Sequence, residues 1–147
     1  MPRVAYSIGL DDQLRLGVFV GPDAATLAGS TAAGRSTPKP VHAHAVIDTD
    51  SNVTAVSPHL LRQVGAVRHR QSTTTSVSGS TVVVLYYVSV GIPAGGALTA
   101  PIVLNPRLLV MELPNPIPGA DVLVGMDILL ECQLLIDGPT QIYTLDV

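Results

Sequence analysis

The sequence predicts an all-β domain: a closed, mostly antiparallel barrel with one or two short helices. Three observations predict it. Apolar residues make up 47 % of the 147 positions while aromatic ones make up 3 %, with no Trp, so the core must be assembled from Val, Leu, Ile and Ala; β-branched side chains suit a pleated, half-buried surface. Twelve Pro and thirteen Gly punctuate the chain often enough for short strands joined by many turns. The length suits one domain with a hydrophobic core, and a charged share of only 13 % argues against disorder.

Taken in order, residues 1–13 form an N-terminal extension and residues 14–147 the domain. Leu14 to Val20 is an apolar run ended by Gly21-Pro22-Asp23 and reads as the first strand. From Ala24 to Pro40 small residues, Ser, Thr, Gly and Pro dominate, which predicts a long surface loop. His42 to Ile47 alternates, with Ala43, Ala45 and Ile47 on one side, and turns at Asp48. Val53 to Val56 re-enters as a short strand. Ser57-Pro58 then opens a helix, with Ser at the N-cap, Pro in the first turn, Leu60, Leu61 and Val64 as its apolar stripe and Gly65 to end it.

Gln71 to Val77 and Ser80 to Val90 flank a two-residue Ser78-Gly79 turn and predict a hairpin. Its first arm, Ser72 to Ser76, carries a hydroxyl at every position and so must stay near solvent, whereas Val82 to Tyr87 must return to the core. Gly91 to Gly96 reads as a turn, followed by strands at Ala100 to Leu104 and Leu108 to Leu113 separated by Asn105-Pro106. Three prolines stiffen the loop from Pro114 to Gly119. Asp121 to Val124 is a strand, Met126 to Glu131 a short helix, and Leu134 to Ile136 and Gln141 to Leu145 a closing hairpin through Asp137-Gly138-Pro139.

Several function classes are disfavoured. A net charge of -3 without a basic run offers no footprint for nucleic acid. The apolar-rich stretch Val82 to Val90 falls far short of the roughly 18 residues a bilayer-spanning helix needs. Met1 to Asp12 lacks the apolar centre of a signal peptide, so a soluble cytoplasmic protein with no membrane partner is expected. Cys132, the sole cysteine, lies among Leu129, Leu130, Leu134 and Leu135, which predicts a packed thiol without a catalytic base. His42 and His44 share a strand face, but no third ligand is placed beside them; with His59 and His69 they read as solvated side chains. No Gly-x-Ser-x-Gly context surrounds Ser51 or Ser57.

The chemistry resides in two distant segments. Ala45-Val46-Ile47 runs into Asp48-Thr49-Asp50-Ser51, and Val122-Leu123-Val124 runs into Gly125-Met126-Asp127-Ile128-Leu129. A strand ending in Asp-Thr delivers a carboxylate and a hydroxyl to the tip of a sheet. Together, and with a glycine-tipped hairpin between them, the two segments resemble the signature blocks of retropepsin-like aspartic proteases, the retroviral-type and bacterial single-domain enzymes. The resemblance implies a homodimer that hydrolyses peptide bonds in a peptide or protein substrate, with no metal and no cofactor. It implies that Asp48 is the catalytic acid and base, that Thr49, Asp50 and Ser51 complete the active-site loop, and that Val77, Ser78, Gly79 and Ser80 form the flap. Leu123, Val124 and Gly125 would support the loop. No internal repeat supplies a second Asp-Thr segment, so two copies must each contribute one Asp48.

One position departs from the resemblance: Asp50 stands where the motif has glycine. Glycine would permit left-handed backbone angles that a Cβ resists, and four carboxyl groups near a two-fold axis would raise proton affinity and oppose association at neutral pH. Two alternatives therefore stand beside the protease: a weakened or inactive retropepsin-like fold kept for dimerisation or peptide binding, and a plain β-barrel interaction module. Asp127, near a helix start, and Asp121, Asp137 and Asp146, at strand ends or turns, are expected to be structural or surface residues.

Overall fold

The computed structural model describes residues 3–93 and 101–147. In chain order the elements are β1 (Arg3–Ser7), β2 (Arg15–Pro22), α1 (Ala24–Ala32), β3 (Val41–Ile47), β4 (Ala55–Val56), α2 (Pro58–Gln63), β5 (Val67–Ser76), β6 (Gly79–Ile92), β7 (Ile102–Glu112), β8 (Val122–Val124), α3 (Met126–Leu129), β9 (Gln133–Asp137) and β10 (Ile142–Asp146). No helix among the described residues is long and apolar enough to cross a membrane.

Strands β2, β3, β8, β4, β7 and β6 are hydrogen-bonded in that order, and β6 also pairs with β2, so six strands close on themselves. Strand β5 continues the sheet beyond β6 as the outer arm of the long hairpin. A separate three-stranded sheet runs β1, β10, β9. Inward-facing Val18, Val20, Ala45, Val88, Val90, Val110 and Val122 are all at most 1 % exposed and fill the barrel. Leu60, Leu61 and Val64 close one flank and Tyr143 and Leu145 another. The aliphatic core that the composition demanded is therefore the one found.

The sequence reading needs correction at five places. The stretch from Ala24 to Pro40 is not wholly a loop, because Ala24–Ala32 is helical. Alanine has the best intrinsic helix propensity, Asp23 stands at the N-cap with extended backbone, and Arg35 N–H donates to the Ser30 carbonyl at 2.9 Å to finish the C-terminus. The helix buries none of its residues, so no apolar stripe could announce it. Second, the two strands expected either side of Asn105-Pro106 are one, β7. A register irregularity opposite Val88 to Gly91 absorbs Pro106, which has no N–H to give, and Arg107 N–H turns to the Asn105 side chain at 2.9 Å.

Third, the hairpin turn sits one residue earlier than expected. Ser76 pairs with Gly79, leaving Val77 and Ser78 at the tip, and Gly79 has φ 120°, which favours a residue without Cβ. Fourth, β6 continues through Gly91 and Ile92 where a turn was expected; the rest of that expected turn, and the start of the strand placed at Ala100, lie outside the described residues. Fifth, the N-terminal extension contributes strand β1, which pairs with β10 in register Arg3 to Asp146 through Ser7 to Ile142.

Candidate active site

The site is built where β8 lies between β3 and β4. Ile47 of β3 pairs in parallel with Val124, and Ala55 of β4 pairs antiparallel with Leu123. The segment joining β3 to β4 therefore has to pass over the end of β8, and Asp48 is its first residue. Asp48 N–H donates to the Val124 carbonyl at 2.9 Å, and Ser51 N–H donates back to the Asp48 carbonyl at 3.3 Å. The Asp50 N–H donates to Asp48 Oδ1 at 2.9 Å, fixing the carboxylate against its own loop.

The second signature segment locks this loop from below. Met126 N–H donates to the Ser51 carbonyl at 2.7 Å, and Ser51 Oγ donates to the Val53 carbonyl at 2.7 Å. A Cβ on Gly125 would stand 2.8 Å from Val53 C and 2.9 Å from each of the Ser51 and Val53 carbonyl oxygens, so only glycine lets the loop lie this close. Val122 and Val124 are buried in the barrel while Leu123 is half-buried and faces the cleft.

Thr54, fully buried, joins the two segments, and sequence reasoning overlooked it. Its N–H and Oγ1 donate to the two Asp127 carboxylate oxygens at 2.9 and 2.6 Å, and Oγ1 accepts from Gly125 N–H at 3.1 Å. The Asp127 carboxylate also accepts from Ile128 N–H at 2.9 Å, the position in the first helical turn where a negative charge is favoured. Its structural role is as expected. A hydroxyl between a strand-end loop and a distant helix leaves no local sequence pattern, so Thr54 was visible only as an isolated Thr in an apolar run.

Asp48 opens into a cleft of about 700 Å³. Asp48, Asp50 and Ser51 line it together with the arms of the β5–β6 hairpin, Ser78 near its tip, and Leu113, Pro114, Asn115 and Ile117. Thr49 is exposed beside it. The backbone strain expected at Asp50 is absent: the non-glycine residues with positive φ among those described are Asp12 and Gln141. Asp50 differs from glycine here in its charge and bulk.

The remaining singled-out groups fall away from the cleft. His42 and His44 are exposed and meet edge-on at 5.7 Å, and His59 Nε2 lies 3.3 Å from Asp121 Oδ1. Among the described residues no three His, Cys, Asp or Glu side chains converge as metal ligands. Cys132 is half-buried, packs against the core and points its thiol at the Ile128 carbonyl; burial, and then Glu131, push that thiol above its usual range. Asp137 is the exposed last residue of β9, and its carboxylate accepts from Thr140 N–H. Asp146 is not an ordinary surface residue. It is buried and takes two 2.7 Å bonds from the Arg3 guanidinium, which hold its carboxyl below the usual range.

Comparison with known proteins follows this geometry closely in shape and hardly at all in sequence. No protein-family model matches the chain, and no curated protein matches it. Among solved structures it superposes on the crystal structure of a retropepsin-like aspartic protease from Rickettsia conorii with a TM-score of 0.61, covering 97 % of this chain and 89 % of that one at 13 % identity. The fold is retropepsin-like. At that identity the likeness carries the barrel, and the chemistry has to be argued from the residues.

Proposed function

We propose that the chain is an aspartic endopeptidase that works as a homodimer. The observation that carries this reading is that Asp48, in a loop braced by Val124 and Gly125, lines a cleft whose wall is also formed by the arms of a long hairpin. Two such carboxylates about a two-fold axis share one proton, because like charges so close cannot both be ionised. The protonated one donates to the scissile carbonyl oxygen. The ionised one takes a proton from a water whose oxygen attacks the carbonyl carbon, and proton transfer to the amide nitrogen then releases the amine. Thr49, exposed next to Asp48, would brace the two loops against each other, and Val77 to Ser80 would close over the substrate.

One observation favours a second reading. Asp50 lines the same cleft two residues from Asp48, and its charge opposes bringing two loops together at neutral pH. A chain weakened in this way would hold peptides without cutting them. The two readings separate in one assay: cleavage of unfolded polypeptides at acid pH, blocked by pepstatin-like inhibitors and abolished in Asp48→Asn, belongs to the protease, together with a dimer in light scattering that grows as the pH falls. Cleavage that persists in Asp48→Asn refutes the dyad.

A further inference from the structure

We infer that Arg70 is an acid-recognition subsite of the cleft, selecting polypeptides that carry a Glu or Asp side chain at one fixed distance from the segment lying over Asp48. The inference rests on reading the cleft as a polypeptide site, and it adds the chemistry of what that site prefers.

Arg70 reaches the cleft because of a register shift. Along β5 and β6, Arg68 is partnered by Tyr86 and Arg70 by Leu85, so two residues of β5 are spent on one of β6. Partners in an antiparallel ladder share a face, and neighbouring residues face opposite ways. The irregularity at His69 therefore puts Arg70 on the face of Leu85, opposite to that of Arg68 and Tyr86. From there Ser72 follows on the same face with Val83, and all four line the cleft. A regular ladder would have kept Arg68 and Arg70 together. The irregularity brings one guanidinium, and Ser72 after it, into the lining of the cleft that Asp48 shares.

Charge and position together point to the same residue. The chain has eight Lys and Arg residues. Arg3, Arg15 and Arg107 are neutralised by Asp146, Asp11 and Asp23. Arg35, Lys39, Arg62, Arg68 and Arg70 are exposed and form no ion pair among the described residues, and of these five Arg70 is the one that lines the cleft. Its five donors form a planar fork that matches a carboxylate bidentately. Leu85, Leu109 and Met111 line the cleft as well and provide an apolar wall against which such a pair is less screened than on an open surface. A substrate carboxylate is drawn to Arg70 and repelled by Asp48 and Asp50, all of which line the cleft, so attraction and repulsion together position the acidic side chain.

The test uses fluorescein-labelled peptides of neutral sequence into which a single Glu, or a single Gln, is introduced at successive positions. Binding is read by anisotropy on the Asp48→Asn chain, and cleavage on the unaltered chain. At one position Glu should bind roughly five- to tenfold tighter than Gln, as a partly desolvated charge pair predicts, with the advantage shrinking at high salt. Arg70→Gln should bring the Glu-to-Gln ratio close to one, and Arg70→Glu should invert it so that Gln binds more tightly than Glu. A preference for Glu that survives in Arg70→Gln, the absence of any position where Glu exceeds Gln, or no binding of any peptide overturns the assignment. Preference for Glu in binding without cleavage by the unaltered chain supports Arg70 while removing the protease; cleavage indifferent to Glu removes Arg70 while leaving the protease.

Discussion

Adding one methyl group at Gly125 tests whether the active-site loop is held by contact. The Cβ of alanine would fall within 2.9 Å of three backbone atoms of Ser51 and Val53, none of which can rotate aside as a side-chain tip could. Gly125 itself has φ -95° and ψ -175°, an extended conformation open to any residue, so the cost arises from space and not from dihedral strain. Relief requires the loop to lift. Lifting it stretches the 2.7 Å bond from Met126 N–H to the Ser51 carbonyl. Overpacking a tight site costs about 1–3 kcal/mol, and a weakened buried backbone bond adds about 1 kcal/mol. Gly125→Ala should therefore lose about 2–4 kcal/mol in urea titrations followed by circular dichroism. At about 2–4 °C per kcal/mol for a chain of this size, the melting temperature should fall by roughly 5–15 °C. Gly29→Ala is the matched control: its Cβ meets nothing within 4 Å on helix α1, and it should gain about 0.5–1 kcal/mol. Stability of Gly125→Ala within about 0.5 kcal/mol of the parent would refute the argument that close approach demands this glycine.

Other perturbations follow the same logic. Thr54→Val keeps the shape but strips Gly125 N–H and Asp127 of a buried partner, so it should cost about 2–4 kcal/mol in urea titration, whereas Thr54→Ser should keep most of that; equal losses would show that only packing matters there. Asp146 has its carboxyl depressed by Arg3, so the stability it lends is complete above the ordinary value of about 3.9 and drains away as the pH falls through the lower folded value. The urea midpoint should therefore drop below about pH 4 and do so less steeply in Arg3→Met, and parallel curves for the two proteins would disprove the link. Because Asp50 lies outside the left-handed region, Asp50→Gly and Asp50→Asn should act alike, moving the pH profile of peptide cleavage downward and tightening self-association near neutrality. An effect of Gly alone would restore backbone freedom as the explanation.

Legibility in the sequence tracked the length scale of the forces. Strands β2, β3 and β8 and the inner hairpin arm β6 could be read because their apolar residues face one aliphatic core, and alternation or a β-branched run records that directly. Ser57-Pro58 and Gly65 marked α2 correctly, with Gly65 at φ 64° after its last turn. Helix α1 was hidden because a helix that buries nothing leaves no periodic stripe; its alanines carried the only signal, and Ser, Thr and Gly masked it. Asp48 and Gly125 could be placed in the two signature segments, but their contact spans the barrel. Thr54 and Arg70 could not be singled out at all. The role of Thr54 depends on Asp127, 73 residues away, and that of Arg70 on an irregularity that no residue type announces.

The loop that carries Asp48 is finished within one chain. Val124, Gly125, Met126 and Thr54 fix its backbone, and the Asp50 amide fixes its carboxylate, so its shape does not wait for a partner. What a single chain lacks, under the proposed function, is only the second carboxylate. Strand β10 is hydrogen-bonded on both sides, by β1 and by β9, which leaves it no edge on which another chain could add a strand. If the proposed dimer adds strands to this sheet, only the outer edges of β1 and β9 are open to it, and the sheet around β10 is not rebuilt. Folding and pairing are then separable. The chain should remain folded at dilutions where peptide cleavage has vanished, with a melting temperature that rises only by the small amount mass action on a weak dimer requires as cleavage per chain grows, and unfolding of the dilute, inactive chain would place the source of stability in the interface instead.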